Sequence, residues 1–303
     1  MLKLALGPIQ YYWPREATFT FYEAVARTPI DIVYLGETVC SRRHELRLAD
    51  WLEIADRLAA AGKQPVLSTL VLIESGLDLT TLRRIIDNGR YAVEANDIGA
   101  VHAMSGAPFI AGPHLNIYNT PTLELFAGLG ASRWVMPLEM GREGLAQILQ
   151  DKPAGLETEV FAYGRMPLAF SARCFTARHH NLPKDNCQFS CIDHPDGLLL
   201  KTRENSDFLV LNGIQTQSAK VCNLVDELAA MQAMGVNVVR LSPQVQHNER
   251  IIGIFDRVRH GQMGPAEALA ALQEWMPDQP CNGYWNGKPG LDQIEQALQF
   301  GDI

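Results

Sequence analysis

IDIVYLG, residues 30–36, is a short, mostly apolar run that ends in glycine and is followed by a helical stretch. Seven further runs of this kind alternate with amphipathic helical segments along the chain. Runs that are continuously apolar, without strict alternation, are typical of strands in a parallel sheet whose outer face is covered. The eight predicted strands are residues 3–7, 30–36, 64–70, 91–95, 108–119, 133–139, 157–164 and 236–243.

Helix start and stop signals lie between these strands. Asp50 can cap a helix that ends at Gly62, and Thr120 with Pro121 can open another. Eight strands with helical crossovers match a (β/α)8 TIM-barrel-like fold, which we expect for this α/β chain. An open doubly wound sheet is the alternative. It is disfavoured because the turn after the first strand lacks G-x-G-x-x-G, and no Walker-type G-x-x-x-x-G-K-[ST] occurs.

The regular alternation breaks after the seventh strand. We therefore predict a single barrel domain over residues 1–303 that contains a cysteine-rich insertion at about 165–213. Within the insertion, residues 197–201 and 207–213 flank a polar turn and predict a β-hairpin. A long amphipathic helix is predicted over residues 216–234, before the eighth strand.

Composition excludes some classes of function. The formal net charge is −8 and the isoelectric point is about 5.5, which argues against a nucleic-acid-binding surface. The first apolar run is interrupted by Gly7 and Pro8, so it indicates a buried strand and not a signal peptide. No stretch reaches the roughly 18 apolar residues of a membrane helix. We expect a soluble, cytoplasmic protein whose thiols stay reduced.

Three of the six cysteines fall in one segment, CFTARHHNLPKDNCQFSC, residues 174–191. Cys174, Cys187 and Cys191 have the spacing Cys-x12-Cys-x3-Cys, and a tetrahedral zinc or iron–sulfur site needs a fourth ligand. Cys40 is our choice, because a barrel places the loop after the second strand at the same end as the loop after the seventh. Cys281 is a spare candidate.

The other cysteine and histidine side chains near this segment or in the predicted helix have other interpretations. Cys222 falls in the predicted helix 216–234, where a small buried side chain explains it. His179 and His180 could complete a mixed Cys/His zinc site. Thiolate ligands suit zinc and iron–sulfur clusters almost equally, so the spacing predicts a four-thiolate metal site without choosing the metal. A catalytic thiol would not explain three clustered cysteines, and no H-E-x-x-H or G-x-S-x-G motif is present.

Polar residues also collect where the predicted strands end. In a barrel, the loops at the carboxyl ends of the strands build the working face. Each such residue is individually more often a helix cap or a satisfied hydrogen-bonding group, but together they indicate where a pocket should lie. The candidate pocket rim consists of Glu37, Glu94, His114, Asn116 and Arg240.

The stretch EVFAYGRMPLAFSARC, residues 159–174, resembles the signature of the collagenase-like peptidase family, E-V-F-x-x-G-x-x-C-x-x-x-S-G-R-C. The chain matches it at seven positions: Glu159, Val160, Phe161, Gly164, Ser171, Arg173 and Cys174. Pro167 stands where most members have their first cysteine, and Ala172 where they have glycine. The departure at Pro167 points to a subgroup in which a cysteine near residue 40 substitutes.

That subgroup acts in oxygen-independent ubiquinone biosynthesis, and the similarity to it covers nearly the whole chain. The resemblance implies a 4Fe–4S cluster held by Cys40, Cys174, Cys187 and Cys191, and a heterodimer with a related paralogous subunit. It further implies a role in hydroxylating the aromatic ring of ubiquinone precursors, with prephenate as a candidate oxygen source. It leaves open whether this chain or its partner performs the chemistry. The alternative is a peptidase-like barrel hydrolase with a structural four-cysteine zinc site, although no protease motif supports it.

Overall fold

Twelve strands form one sheet in the computed structural model, which describes residues 1–104 and 106–295. The strands are β1 (Lys3–Leu6), β2 (Ile32–Leu35), β3 (Gln64–Ser68), β4 (Ala92–Ala95), β5 (Phe109–Ala111), β6 (Ala131–Val135), β7 (Glu157–Phe170), β8 (Leu198–Lys201), β9 (Asp207–Asn212), β10 (Gln215–Asn223), β11 (Val238–Leu241) and β12 (Pro280–Cys281). Strands β1 to β7 pair in parallel in chain order, and β11 pairs in parallel with both β1 and β7. This closes an eight-stranded parallel barrel, so the predicted fold is confirmed.

Ten α-helices accompany the strands. They are α1 (Arg15–Val25), α2 (Leu48–Ala60), α3 (Gly76–Ile86), α4 (Ile98–Ala103), α5 (Thr120–Gly128), α6 (Arg142–Gln150), α7 (Phe175–His179), α8 (Leu228–Met234), α9 (Asn248–Arg259) and α10 (Pro265–Gln273) in the described ranges. Asp50 is not the N-cap of α2 as predicted. Arg47 is the N-cap residue, and the side chain of Asp50 accepts a hydrogen bond from the backbone N–H of Arg47 at 2.8 Å. None of the helices in these ranges has the length and apolarity to cross a membrane.

The strands alternate between two apolar regions, because successive side chains of a strand point to opposite faces. Leu4 and Leu6 of β1 belong to the large core between barrel and helices, whereas Ala5 belongs to a smaller cluster inside the barrel. That inner cluster also takes Tyr34 from β2. The inner cluster consists of seven residues drawn from six strands, so polar and charged side chains fill much of the remaining interior.

The insertion is built on a long extension of β7. Beyond the barrel, β7 runs on to Phe170 and pairs in antiparallel fashion with β10. Strands β8 and β9 continue the sheet as the predicted hairpin, which is confirmed.

The predicted helix over residues 216–234 is wrong in its first half. Residues 215–223 form β10, because the free edge of the β7 extension and β9 offer backbone partners on both sides. Only α8 retains the predicted helical conformation. Cys222 is therefore buried on a strand, where it stands in register with Cys281 of β12. Residues 296–303 of the predicted domain lie outside the described ranges.

Candidate functional site

A small cavity of about 40 Å³ lies at the carboxyl ends of the barrel strands. Three of the predicted rim residues, Glu94, His114 and Arg240, line it. Gln10, Thr38, Asn96 and Ser242 from neighbouring strand ends add polar groups to its wall. The cavity has room for ordered water, which needs about 10–15 Å³ per molecule.

Arg240 occupies the centre of this end of the barrel. Its Nε donates to Oε1 of Glu159 at 2.6 Å, and its Nη2 donates to Oε1 of Glu94 at 2.7 Å. Its guanidinium carbon also lies 4.0 Å from the ring centre of Tyr34. Burial alone would lower the pKa of Arg240, but Glu159 and Glu94 hold the pKa well above its ordinary value. The side chain therefore acts as a fixed, always charged link between β11, β7 and β4.

A second arginine balances the remaining charge inside the barrel. Arg133 of β6 contacts Oε2 of Glu159 at 3.4 Å and binds Glu157 at 2.6 Å. The Tyr34 hydroxyl donates to Oε2 of Glu159 at 2.5 Å. Glu159, Arg133 and Tyr34 are not among the predicted residues of this end of the barrel. The signal available was a charged residue at an inward-facing position of a buried strand.

His114 lies beside this network in a neutral form. Burial lowers its pKa to about 3, and the charge of Arg240 acts in the same direction. Its ring packs edge-on against Phe170 with centroids 4.8 Å apart. It can therefore offer one ring-nitrogen donor and one acceptor to the cavity at neutral pH.

The other two predicted rim residues do not line the cavity. Asn116 is exposed in a left-handed conformation after the short 3-10 turn Pro113–Leu115. Glu37 instead accepts hydrogen bonds from the backbone N–H groups of Val39 and Cys40, at 2.8 and 3.0 Å. Burial raises the pKa of Glu37, and Arg43 opposes that shift.

All four predicted cysteine ligands lie in segments that follow barrel strands at this same end, and all are free thiols. Cys40 is in the loop after β2, and the others follow β7. The loop after β2 contacts the insertion directly, because Arg42 Nη2 donates to the carbonyl of Asp185 at 2.7 Å. The aromatic ring of Phe189 also packs against Tyr12, 6.2 Å between centroids.

Two of the four thiols, those of Cys40 and Cys191, have pKa values above the ordinary range. Burial raises the pKa of Cys40 to about 11, with Arg43 opposing the rise and Cys174 adding to it. Burial likewise raises the pKa of Cys191, which Arg43 opposes through its charge and a side-chain hydrogen bond, while Cys174 again adds to the rise. Cys187 is the most buried of the four.

The insertion itself fixes Cys174. This residue is the N-cap of α7, and its Sγ accepts a hydrogen bond from the N–H of Ala177 at 3.4 Å. The turn between β9 and β10 holds the same helix, since Gly213 accepts from the N–H of Phe175 at 2.8 Å and donates to Oγ1 of Thr176 at 2.9 Å. The turn between β9 and β10 thus fixes the position of the Cys174 thiol.

The donor chemistry fits a thiolate-bound metal group, and the geometry is not that of a closed site. In the part of the chain that the structure describes, no three His, Cys, Asp or Glu side chains lie together so that they could hold a metal ion. Ligation of one group by all four cysteines would require the sulfur atoms to be drawn closer together. Arg43 Nε is buried without a hydrogen-bond partner beside these thiols, which is consistent with an acceptor at this position.

The sequence profile of peptidase family U32 matches residues 18–263. The chain belongs to peptidase family U32. A solved U32 peptidase shares 10% identity with it at a TM-score of 0.46, over 80% of this chain and 93% of that one. An N-acetylneuraminate lyase from Mycoplasma synoviae shares 9% sequence identity at a TM-score of 0.42, and the match covers 89% of this chain and 78% of that one. A dihydropteroate synthase from Thermus thermophilus shares 13% sequence identity at a TM-score of 0.39, and the match covers 84% of this chain and 94% of that one.

Replacing Arg240 by methionine should destabilise this U32 chain strongly. The change leaves Glu94 and Glu159 buried without their cation, which costs about 3–5 kcal/mol of the free energy of unfolding. The matched control is Arg57→Met, which removes an arginine with a half-exposed side chain and ion pairs to Glu23 and Glu53 and should cost less than about 1 kcal/mol. Urea unfolding measures both, and equal midpoints for the two variants would contradict the role given to Arg240.

Proposed function

We propose that the chain is the 4Fe–4S cluster subunit of an oxygen-independent hydroxylase of aromatic ubiquinone precursors. This is the role of the UbiV-type proteins that its sequence resembles, and it would act in a heterodimer with a UbiU-like paralogous subunit. The cluster ligands are Cys40, Cys174, Cys187 and Cys191. Prephenate is the candidate source of the hydroxyl oxygen.

One observation carries this proposal. Cys40 reaches the rim of the barrel in the loop after β2, next to the insertion that contributes the other three cysteines, and shares Arg43 with Cys191. The chain has Pro167 at the position where most relatives of its signature have cysteine. A ligand supplied by the β2 loop restores the number of thiolates to the four that a cubane cluster needs.

Hydroxylation with oxygen at the oxidation level of water removes two electrons from the aromatic ring, so the reaction needs an electron acceptor as well as an oxygen source. When bound, a 4Fe–4S cluster supplies one-electron transfer. The chain's own residues would hold the thiolates at the rim and shield them with the insertion. Cys222 and Cys281 are buried free thiols that stand in register on β10 and β12, which favours Cys40 over Cys281 as the fourth ligand.

The size of the barrel cavity bears on which subunit binds the substrate. An engineered cavity of about 150 Å³ holds benzene, whereas the cavity beside Arg240 measures about 40 Å³. The cavity is far smaller than one that holds an aromatic ring. We therefore assign the ring-binding site to the partner subunit or to the surface that the two subunits share.

The second candidate is a barrel hydrolase with a structural zinc ion held by the same four thiolates. The thiolate ligands favour it as much as they favour a cluster. Family membership is its other support, because the U32 family is named for peptidases. Metal content separates the two candidates.

Single cysteine variants test the ligand set. Cys40→Ala and Cys187→Ala should lose cluster to the same extent, because each removes one of four thiolates. Cys222→Ala is the matched control, since it removes a buried thiol of β10 and should keep the iron content of the wild type. Iron per chain after anaerobic purification is the measurement. Wild-type iron content in Cys40→Ala would overturn the ligand assignment and favour Cys281.

Reconstitution with the partner tests the activity. The chain, the UbiU-like subunit and a ubiquinone precursor with an unmodified ring position are combined without oxygen, with prephenate and a chemical electron acceptor. Mass spectrometry should detect the hydroxylated product only when both chains are present. The Cys187→Ala chain should give none, and Cys222→Ala should give wild-type yield. Undiminished product from the partner alone would contradict a role for this chain in the reaction.

A further inference from the structure

Arg43 is a buried cation among the thiols of the rim. Only 6% of the residue is exposed. Nη1 donates to the carbonyl of Gln10 and Nη2 donates to Oδ1 of Asn212, both at 2.7 Å. Nε is buried and has no hydrogen-bond partner. A buried guanidinium is costly unless its charge and its donors are satisfied.

Glu37 provides one ion pair to the guanidinium, without a short hydrogen bond. Oε1 of Glu37 lies 3.6 Å from Nη1 of Arg43, which is too long for a hydrogen bond. The same oxygen accepts the backbone N–H groups of Val39 and Cys40. The backbone N–H of Arg43 donates to the carbonyl of Cys40 at 3.0 Å. Burial alone would lower the pKa of Arg43, but Glu37, Cys191 and Cys40 hold it above its ordinary value.

We infer that Arg43 is the built-in counter-ion of the thiolate-bound group, that it donates to a sulfur atom of that group, and that it favours the reduced form. The inference rests on the proposed function, because it takes the bound group to be a cluster held by these thiolates. It assigns Arg43 as a positioning and charge-balancing residue, not as a catalytic one.

The direction of the effect follows from charge. Reduction by one electron adds a negative charge to a group that four thiolates already make anionic. A fixed cation close by stabilises the more negative form, and the interaction is strong because the site is shielded from water. Hydrogen bonds to ligand sulfur atoms tune the potential in the same direction.

The surroundings prevent Arg43 from moving away. Gln10 Oε1 accepts from Nε2 of Gln215 at 2.7 Å, and Asn212 Nδ2 donates to the carbonyl of Gln10 and to Oε1 of Gln215, at 2.8 and 2.9 Å. Oε1 of Gln215 also accepts from Gln217 at 2.8 Å. This amide network joins the loop after β1 to the β9–β10 hairpin, and it offers the guanidinium two acceptors that it cannot exchange for water.

The test is a redox titration of anaerobically purified, iron-containing protein in which Arg43→Gln is compared with Arg42→Gln. Arg42 is the matched control because it is the neighbouring arginine of the same loop and its Nη2 donates to a backbone carbonyl, that of Asp185. For Arg43→Gln we expect the ratio of reduced to oxidised cluster at a fixed potential to fall at least ten-fold, equivalent to a midpoint about 59 mV lower. For Arg42→Gln we expect a change of less than two-fold. Equal midpoints in wild type and Arg43→Gln would overturn the inference.

A second variant covers the case in which Arg43→Gln does not fold. Asn212→Asp gives Nη2 of Arg43 a full carboxylate partner and neutralises the guanidinium in place. Its midpoint should also fall, whereas Asn205→Asp, which adds the same charge on the exposed hairpin turn, should leave the midpoint unchanged. A wild-type midpoint in Asn212→Asp as well as in Asn205→Asp would overturn the inference. Wild-type protein without iron would instead overturn the proposed function together with it, so the two failures are distinguishable.

Discussion

The pairing of one buried arginine with two buried carboxylates holds the working end of the barrel together. Arg240 reaches from β11 to Glu159 on β7 and to Glu94 on β4. It thereby links the strand pair that closes the barrel, β11 and β7, to β4 on the opposite side of the barrel. Arg133 and the Tyr34 hydroxyl complete the network around Glu159. Because unpaired buried charges are costly, each member depends on the others being in place.

This interior has consequences for what the barrel can bind. Charged side chains and their partners fill the space that a ligand would occupy in an open barrel mouth, and the remaining cavity is small. The candidate metal ligands lie outside this network, in the segments that follow β2 and β7. The insertion covers those loops, and its amide network fixes Arg43 there. The barrel thus acts as a rigid base for the thiols at its rim.

The sequence predicted the barrel because eight apolar runs, each followed by a helical stretch, leave few other topologies. It did not predict β10: residues 215–223 have the spacing of an amphipathic helix, and only the free edge of the β7 extension determines that they pair as a strand. It placed Cys40 with the cysteines of the insertion by topology alone. It missed Arg43 and Glu159, because pairing between residues about 30 to 170 positions apart leaves no local pattern.

Metal analysis of the wild-type chain tests the central claim most directly. The protein is purified without oxygen, and its absorption spectrum, iron and acid-labile sulfide are measured on one sample. The account predicts a broad absorption near ~400 nm with about four irons and four sulfides per chain, as for a cubane held by four thiolates. A colourless protein with about one zinc ion, the content of a structural four-thiolate site, would contradict it.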